Sequence, residues 1–167
     1  MEFRRVLFRS RGALPEAEFA FTSDWAPVGW FDKSAWVRIK ADAIIPPIID
    51  AEVPTVEVSD FKSGGKLQPN GEVVSKDEYP VQLRLYALAG LLSYPTAEKA
   101  HASLIFIDHG KVVPMEDEFT RKDIKALQKE WATRTKRMLN DTVYKSTPGN
   151  ACRWCHFRKA NGGPCPF

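Results

Sequence analysis

The sequence predicts an α/β protein in which a central mixed β-sheet is flanked by helices. Hydrophobic residues make up 44% of the 167 residues and charged residues 27%, which is enough apolar material for the core of one domain. Segments with strand and helix periodicity follow in the order strand, strand, strand, helix, strand, helix, which is typical of helices packed on a sheet. No apolar run approaches the ~20 residues of a membrane helix, so no membrane partner is expected.

Three strands are predicted in the first part of the chain. Each alternates apolar and polar residues, and they cover residues 16–21, 36–45 and 55–62. Alternation in the second strand places Arg38, Lys40 and Asp42 on one face. Prolines interrupt segment 46–54, which predicts a connector, and the glycine pair 64–65 should end the third strand.

A helix is predicted over residues 79–92. Pro80 suits its first turn, where the missing N–H has no intrahelical partner to lose. The apolar stripe expected to face the core consists of Val81, Leu85, Leu88 and Leu92.

The second half of the chain predicts one more strand pair and a long helix. The strand covers residues 100–107, a short partner lies around 112–115, and the helix covers 121–143. Thr120 and Asp123 approximate a capping box at the start of this helix. Its buried face is expected to contain Ile124, Leu127, Trp131 and Met138.

The first ten residues, MEFRRVLFRS, show no period that links them to the rest of the chain. Residues 2–10 match the translation of a common sequencing adapter, so we interpret residues 1–10 as an assembly scar, with a basic targeting arm as the alternative. A scar implies that the natural protein is truncated at its N-terminus. It also accounts for two of the three net positive charges, so the basic composition is no argument for nucleic-acid binding.

Asp60 and Lys62 place two charges in a strand that is otherwise mostly apolar. A buried charge is costly without a partner, and side chains at i and i+2 of a strand share a face, about 6.6–6.8 Å apart. If this strand pairs with the preceding one, Asp42 joins them. Two carboxylates can hold Mg²⁺ or Mn²⁺ for phosphodiester hydrolysis, and a lysine can orient the attacking water. The alternative is a solvated ion pair worth less than ~1 kcal/mol.

These residues resemble a known nuclease motif. Asp42 followed by the Asp60-Phe61-Lys62 run is similar to the D…(D/E)xK core of the PD-(D/E)XK nuclease superfamily. Gln82 and Tyr86, at i and i+4 of the predicted helix, resemble the QxxxY motif of the RecB-like branch. The resemblance implies a restriction-endonuclease-like core, which we place at residues 11–147.

The resemblance also implies a role for each residue. Asp42 and Asp60 would bind Mg²⁺ or Mn²⁺ with the backbone carbonyl of Phe61, and Lys62 would assist the attacking water. Gln82 and Tyr86 would support the site and contact the substrate. The implied activity is that of a DNA exonuclease in recombination, repair or phage DNA metabolism, with DNA as substrate, a helicase or recombination protein as a candidate partner, and a cytoplasmic location.

Two other interpretations stay open, a DNA-binding module without activity and an inactive truncated fragment. Nucleases of this type usually carry an earlier motif with a His or a Glu before the first of these strands. Glu16 and Glu18 are the only candidates for it, and neither is assigned.

The three cysteines lie within the last sixteen residues. An odd, clustered set does not resemble a disulfide framework and favours a reducing, intracellular compartment. The spacing of Cys152, Cys155 and Cys165 resembles the tail of iron–sulfur RecB-like nucleases, which implies a [4Fe–4S] cluster in residues 148–167. The fourth cysteine of such a site is absent. Zinc, with His156 as a possible fourth ligand, and unligated thiols are the alternatives.

Cations and aromatic residues are mixed around these cysteines. The residues are Arg153, Trp154, Phe157, Arg158 and Lys159. This composition can follow a nucleic-acid backbone and stack on bases, which makes Arg153 and Lys159 candidate substrate contacts. A packing shell around a metal site has the same composition.

Overall fold

The computed structural model describes residues 12–63, 78–107 and 113–166. The predicted adapter segment and the glycine pair 64–65 lie outside these ranges. The strands and helices are β1 Leu14–Phe21, β2 Pro27–Val28, β3 Val37–Ile45, β4 Thr55–Lys62, α1 Glu78–Ser93, β5 Lys99–Phe106, β6 Val113–Thr120 and α2 Ile124–Asn140. Short 3₁₀ turns occupy Arg121–Asp123, Asn150–Trp154 and Lys159–Asn161.

The described strands form one six-stranded sheet in the order β2-β1-β3-β4-β5-β6. Strands β4 and β5 are parallel, and all other neighbouring pairs are antiparallel. A parallel pair needs a long crossover, and α1 lies in the connection between β4 and β5. The predicted α/β class with a mixed sheet and packed helices is therefore confirmed.

Helix α1 packs directly on β4. Gly90 permits this approach, because a Cβ at that position would lie 3.0 Å from Val56 Cγ1 and 3.1 Å from Val58 Cγ2. Alternate residues of a strand share a face, so the helix covers the same face of β4 that carries Asp60 and Lys62. Other fully or nearly fully buried helix residues are Leu83, Ala87, Leu88 and Leu91. The contact between the helix and the strand therefore sets the position of the polar residues beside it.

The connection between β1 and β3 is fixed by aromatic packing. The ring centroids of Phe21 and Trp25 are 6.1 Å apart, and those of Trp25 and Trp36 are 5.5 Å apart with the rings nearly perpendicular. Trp25 is buried although its backbone has a φ of 63°, a conformation that a bulky residue rarely adopts. The packing of its ring in the core compensates for that strain.

The predicted strands and helices are confirmed within about three residues, but the predicted stripe of α1 is wrong in part. Leu88 is fully buried, whereas Val81, Leu85 and Leu92 are only partly buried. Helix α1 is apolar around most of its circumference, so its sequence marks no single buried face. Strand β6 is also longer than the short partner that was expected.

Helix α2 begins as the sequence predicts. The backbone N–H and the hydroxyl of Thr120 donate hydrogen bonds to Asp123 Oδ2 at 2.7 and 2.9 Å, which confirms the capping interaction. Leu127 is buried as expected. Met138 is 67% exposed, so its predicted burial is wrong, because the part of the helix that packs on the sheet core ends near Trp131.

The chain forms two compact units, Met1–Trp131 and Ala132–Phe167. The first contains the sheet, α1 and the first half of α2. The second contains the remainder of α2 and the two 3₁₀ turns near the cysteines. The predicted tail boundary at residues 147–148 stays a prediction. Within the described ranges, no helix is both long and apolar enough to cross a lipid bilayer.

Candidate active site

Asp42 lies where β3 and β4 stop exchanging backbone hydrogen bonds. The described ladder pairs Ile44 with Val58 and Ala43 with Ser59, so the next position in register sets Asp42 opposite Asp60. Here the Asp42 side chain replaces a backbone partner, because its Oδ2 accepts a hydrogen bond of 2.6 Å from the backbone N–H of Phe61. Directly opposed residues of an antiparallel pair share a face. The predicted pairing of the two strands is confirmed, and it brings the two carboxylates to one place.

Asp60 is held by a chain of hydrogen bonds from α1. Tyr86 OH donates to Asp60 Oδ1 at 2.7 Å, and Gln82 Nε2 donates to Tyr86 OH at 2.7 Å. Tyr86 is 4% exposed, and burial together with the hydrogen bond to the Asp60 carboxylate raises the pKa of its phenol well above the usual range. The phenol therefore stays protonated and keeps donating to Asp60.

Lys62 reaches the other oxygen of the same carboxylate. Its Nζ lies 2.6 Å from Asp60 Oδ2, and the two side chains are 27% and 14% exposed. Asp60 Oδ2 is nevertheless a buried atom without a hydrogen bond of acceptable angle among the described residues. The short distance between opposite charges decides the interaction, so we regard it as an ion pair and not a directed hydrogen bond. One oxygen of Asp60 is thus fixed by Tyr86, and the other faces a cation.

The arrangement fits a divalent metal with few protein ligands. Asp42 and Asp60 supply hard carboxylate oxygens, and the backbone carbonyl of Phe61 points to the same side of β4 as its N–H, towards Asp42. Mg²⁺ is commonly held by one or two carboxylates and completes its shell with water and substrate oxygens. No cluster of three or more His, Cys, Asp or Glu side chains suited to a metal occurs in the described ranges. The fit therefore rests on two carboxylates and a carbonyl.

Asp60 and Asp42 lie side by side on neighbouring strands, and two more polar residues, Glu16 and Lys40, continue this row towards the edge of the sheet. Neither of them was assigned a role from the sequence. Glu16 falls in register opposite Asp42, between the pairs Pro15–Ala43 and Ala17–Ala41. Its φ is 55°, and its carboxylate forms an ion pair with Lys40, which raises the pKa of Lys40. Only the alternation of β1 and β3, taken with their pairing register, could have placed Glu16 and Lys40 there.

The cysteines lie in a short loop that closes on itself. Cys165 N–H donates to Phe157 O at 2.8 Å and Lys159 N–H donates to Cys165 O at 2.8 Å. A Cβ at Gly163 would lie 2.2 Å from the carbonyl carbon of Phe157, so only glycine permits this closure. Gly149 N–H donates to Cys152 Sγ at 3.3 Å.

All three thiols are free and partly buried. Among the described residues, no three of Cys152, Cys155, Cys165 and His156 lie grouped as a metal site. Neither the iron–sulfur cluster nor the zinc site is therefore shown. Arg153 and Lys159 are exposed, as are the rings of Trp154 and Phe157.

Comparison with known proteins identifies the family. A sequence model described as "PD-(D/E)XK nuclease superfamily" matches residues 3–160.

The chain belongs to the PD-(D/E)XK nuclease superfamily.

Members of this superfamily are nucleases, and they generally use Mg²⁺ or Mn²⁺. The six-stranded mixed sheet with its helices is consistent with the restriction-endonuclease-like fold of the superfamily. The RecB-like branch, the site residues and the iron–sulfur tail stay predictions.

One solved structure, titled "Crystal structure of SSO0001", is similar to this PD-(D/E)XK chain at 20% sequence identity and a TM-score of 0.49. The similarity covers 98% of this chain and 65% of that one. The chain thus spans less than two thirds of the length of that structure. The search of curated proteins found no match.

Proposed function

We propose that this chain is a metal-dependent DNA nuclease of the RecB-like type that hydrolyses phosphodiester bonds, and that it acts as an exonuclease. The observation that supports the proposal is the row formed by Asp42, Asp60 and Lys62 across two paired strands, with the Gln82–Tyr86 chain behind it. Family membership supports the reaction class, and the geometry of the row supports the choice of residues.

In this proposal, each residue at the carboxylates has a separate task. Asp42 and Asp60 bind Mg²⁺ or Mn²⁺ together with the Phe61 carbonyl, and a metal bound there supplies polarisation of the phosphate and a water of lowered pKa. Tyr86 donates its hydroxyl hydrogen to Asp60 Oδ1, so Oδ2 is the oxygen that would bind the metal. The neutral phenol adds no second negative charge beside the carboxylate.

Lys62 acts on the water and on the phosphate. Its ammonium now rests on Asp60 Oδ2, where it compensates the charge of the carboxylate. With a metal bound at the carboxylates, Lys62 would orient the attacking water and stabilise the negative charge that develops on the phosphate oxygens. Gln82 orients the Tyr86 hydroxyl and contacts the substrate.

The test compares cleavage of labelled single- and double-stranded DNA by the wild type, Asp42→Asn, Asp60→Asn and Lys62→Met. Loss of one such group commonly lowers rates by about a hundredfold or more. Asp50→Asn is the matched control, because Asp50 is an exposed carboxylate in the connector at the opposite end of β3. Binding of Mn²⁺, followed by electron paramagnetic resonance, should weaken in both site Asp variants and persist in the control.

Two results would contradict the proposal. If Asp60→Asn cleaves DNA as fast as the wild type, the activity belongs to another site on the chain or to a contaminating nuclease. DNA binding without any cleavage by the wild type in Mg²⁺ or Mn²⁺ would favour the non-catalytic binding module or the inactive fragment.

We further propose that the tail holds a [4Fe–4S] cluster, or alternatively Zn²⁺, through Cys152, Cys155 and Cys165. The N–H to sulfur bond at Cys152 and the backbone closure around Cys165 support it, because both hold a thiol in a fixed turn. The chain supplies three thiols, so a fourth ligand has to come from another group. The bound group would stabilise the tail and take no part in hydrolysis.

The proposed cellular setting is DNA recombination, repair or phage DNA metabolism in a bacterial cytoplasm, with a helicase or recombination protein as partner. Exposed Arg153 and Lys159 are proposed as contacts to the DNA backbone. Binding measured against salt concentration tests these two residues, because loss of one phosphate contact lowers the slope of log affinity against log salt by about one.

A further inference from the structure

We propose that Phe31 is a stacking platform for an unpaired base of a single-stranded nucleic acid whose phosphate reaches Asp42 and Asp60. The inference rests on the proposed nuclease function and adds a substrate subsite to it. The subsite is the turn at residues 29–34, which lies in the connection between β1 and β3.

The ring of Phe31 is 90% exposed, although its backbone is firmly held. Asp32 N–H donates to Gly29 O at 3.0 Å, which puts Phe31 at the third position of a closed four-residue turn. Both the backbone N–H and the hydroxyl of Ser34 donate to Asp32 Oδ1, at 2.8 and 2.7 Å. A single exposed apolar residue needs no explanation by itself. A large ring fixed outward by several hydrogen bonds is different, because the turn keeps it away from the core.

Arg38 fixes the turn from the strand side. Its Nε donates to Trp30 O at 2.7 Å and its Nη2 to Asp32 O at 3.2 Å, so the guanidinium holds the carbonyls on both sides of Phe31. Arg38 therefore stabilises the turn conformation that keeps the Phe31 ring exposed. The neighbouring Lys33 is exposed and can meet a phosphate.

The pairing register places this turn at the end of the sheet where the candidate site lies. Because β3 and β4 are antiparallel, the start of β3 lies beside the end of β4. Arg38, near the start of β3, is therefore at the same end of the sheet as Lys62, and the connector at residues 46–54 is at the other end. Arg38 shares the face of β3 that carries Asp42, because the two are four residues apart. Four residues of strand span about 13 Å, so Arg38, which holds the turn, lies about that far from Asp42 along β3.

The chemistry of the turn selects an unpaired strand. An exposed ring flanked by cations stacks on any base whose face is free, whereas the bases inside a duplex already stack on each other. A strand whose phosphate reaches Asp42 and Asp60 would pass the turn with one base on Phe31. This position favours substrates with a single-stranded end.

The test measures binding without cleavage, in a chelator and without divalent metal, so that it does not depend on catalysis. The probes are a labelled oligothymidylate and a labelled blunt duplex. Alanine in place of a stacking residue costs about 1–3 kcal/mol per base, so Phe31→Ala should raise the Kd for the single strand between about fivefold and about a hundredfold. Phe31→Trp should retain the affinity, and duplex binding should change by less than about twofold.

Ile48→Ala is the matched control. Ile48 is 72% exposed and apolar, but it lies in the connector at the opposite end of β3, so its Kd should stay within about twofold of the wild type. A series of strands with 2-aminopurine at successive positions locates the contact. Quenching should be lost in Phe31→Ala at one or two adjacent positions and be retained elsewhere.

Several results would overturn the inference. Equal affinity of Phe31→Ala and the wild type for the single strand would do so, as would an equal loss for strand and duplex. Self-association of the wild type that Phe31→Ala abolishes would assign the ring to a second copy of the chain. If DNA cleavage that depends on Asp60 persists while Phe31→Ala binds normally, only this inference fails; if the wild type neither binds nor cleaves, the proposed function fails as well.

Discussion

The charge of Asp60 is tolerated in the sheet because each of its two carboxylate oxygens has a partner. One carboxylate oxygen accepts a hydrogen bond from Tyr86, and the other faces the Lys62 ammonium. Burial of the carboxylate without these partners would cost several kcal/mol. The two oxygens differ in that Tyr86 is fixed by the helix, whereas a lysine on a flexible stem can leave. In the proposed function, the hydrogen bond from Tyr86 would keep the carboxylate in its orientation if a metal were bound beside it.

Replacing Tyr86 with phenylalanine tests that orientation. The change removes the donor to Asp60 Oδ1 and the acceptor for Gln82, while it keeps the buried ring. A hydrogen bond to a charged group contributes about 1.5–3 kcal/mol, so we expect the cleavage rate of Tyr86→Phe to fall about ten- to a hundredfold. Steady-state kinetics with labelled DNA would measure it. An unchanged kcat would show that Lys62 and the backbone alone position Asp60.

The raised pKa of Tyr86 predicts a pH dependence of stability. The folded-state pKa lies above the unfolded value of about 10, so the folded state binds more protons at high pH. The stabilisation is fully present below about pH 10 and is lost as the pH rises above it. Urea unfolding of the wild type should therefore show a steeper fall of the unfolding free energy above pH 10 than Tyr86→Phe does. Equal slopes would contradict the assignment of the shift to this residue.

Ser59 and Ser103 form a second buried polar contact in the sheet. They are register partners on the parallel strands β4 and β5, and their hydroxyl oxygens are 2.8 Å apart. Ser59→Ala strands one buried hydroxyl and should lower the unfolding free energy by about 1–3 kcal/mol. The double variant Ser59→Ala/Ser103→Ala should lose less than the sum of the single variants, because no hydroxyl is left unpaired. Additive losses in urea unfolding would argue against a shared hydrogen bond.

Elements that depend on local pattern could be predicted, and contacts between distant residues could not. The alternation of β4 and the Asp60-Phe61-Lys62 run are visible in eight consecutive residues, and their pairing with β3 needed only a connector of suitable length. The buried side of α1 was misplaced, because a helix that is apolar all round has no stripe to detect. The contact of Arg84 with Glu130, at 2.9 and 3.1 Å, joins residues of two helices that no periodicity relates.

Gly90 sets how closely α1 approaches β4. A Cβ there needs movement of the Val56 and Val58 side chains, which are fully buried and lie 3.0 and 3.1 Å away. Alanine favours a helix over glycine by up to about 1 kcal/mol, but overpacking commonly costs about 1–3 kcal/mol. We expect Gly90→Ala to lower the unfolding free energy by about 1–2 kcal/mol and to lower cleavage, because α1 also carries Gln82 and Tyr86.

The matched control for Gly90 is Gly149→Ala, where nothing lies within 4 Å of the added Cβ. Adding Val56→Ala to Gly90→Ala relieves the nearest clash, so the double variant should lose less stability than the two single losses combined. A stabilised Gly90→Ala would show that α1 moves away from β4 at no cost.

At the scale of the whole molecule, the chain combines a nuclease-type sheet unit with a small second unit that has little apolar core. The large residues Met138, Val143, Tyr144, Trp154 and Phe157 of Ala132–Phe167 are all more than half exposed. Independent chains of fewer than about 40 residues rarely fold by packing alone, and a bound metal commonly supplies the missing stability. The free thiols of Cys152, Cys155 and Cys165, with His156 as a further candidate for zinc, are the proposed ligands in this unit.

Replacement of Cys152 and Cys155 with serine should therefore act on the tail and leave the sheet unit unchanged. We expect anaerobically purified wild type to contain iron with brown thiolate–iron absorbance, or zinc in its place, and the double variant to lose that metal. Limited proteolysis should cut the variant faster within residues 141–150, which lie between the last helix and the cysteine loop. The urea midpoint for unfolding of the sheet unit should match that of the wild type. The rate of Asp60-dependent cleavage should stay within about twofold of the wild type. Ser146→Ala is the control. Wild type without bound metal, or a double variant that resists protease as well as the wild type, would show that the backbone bonds around Cys165 and Gly163 hold the tail without a metal.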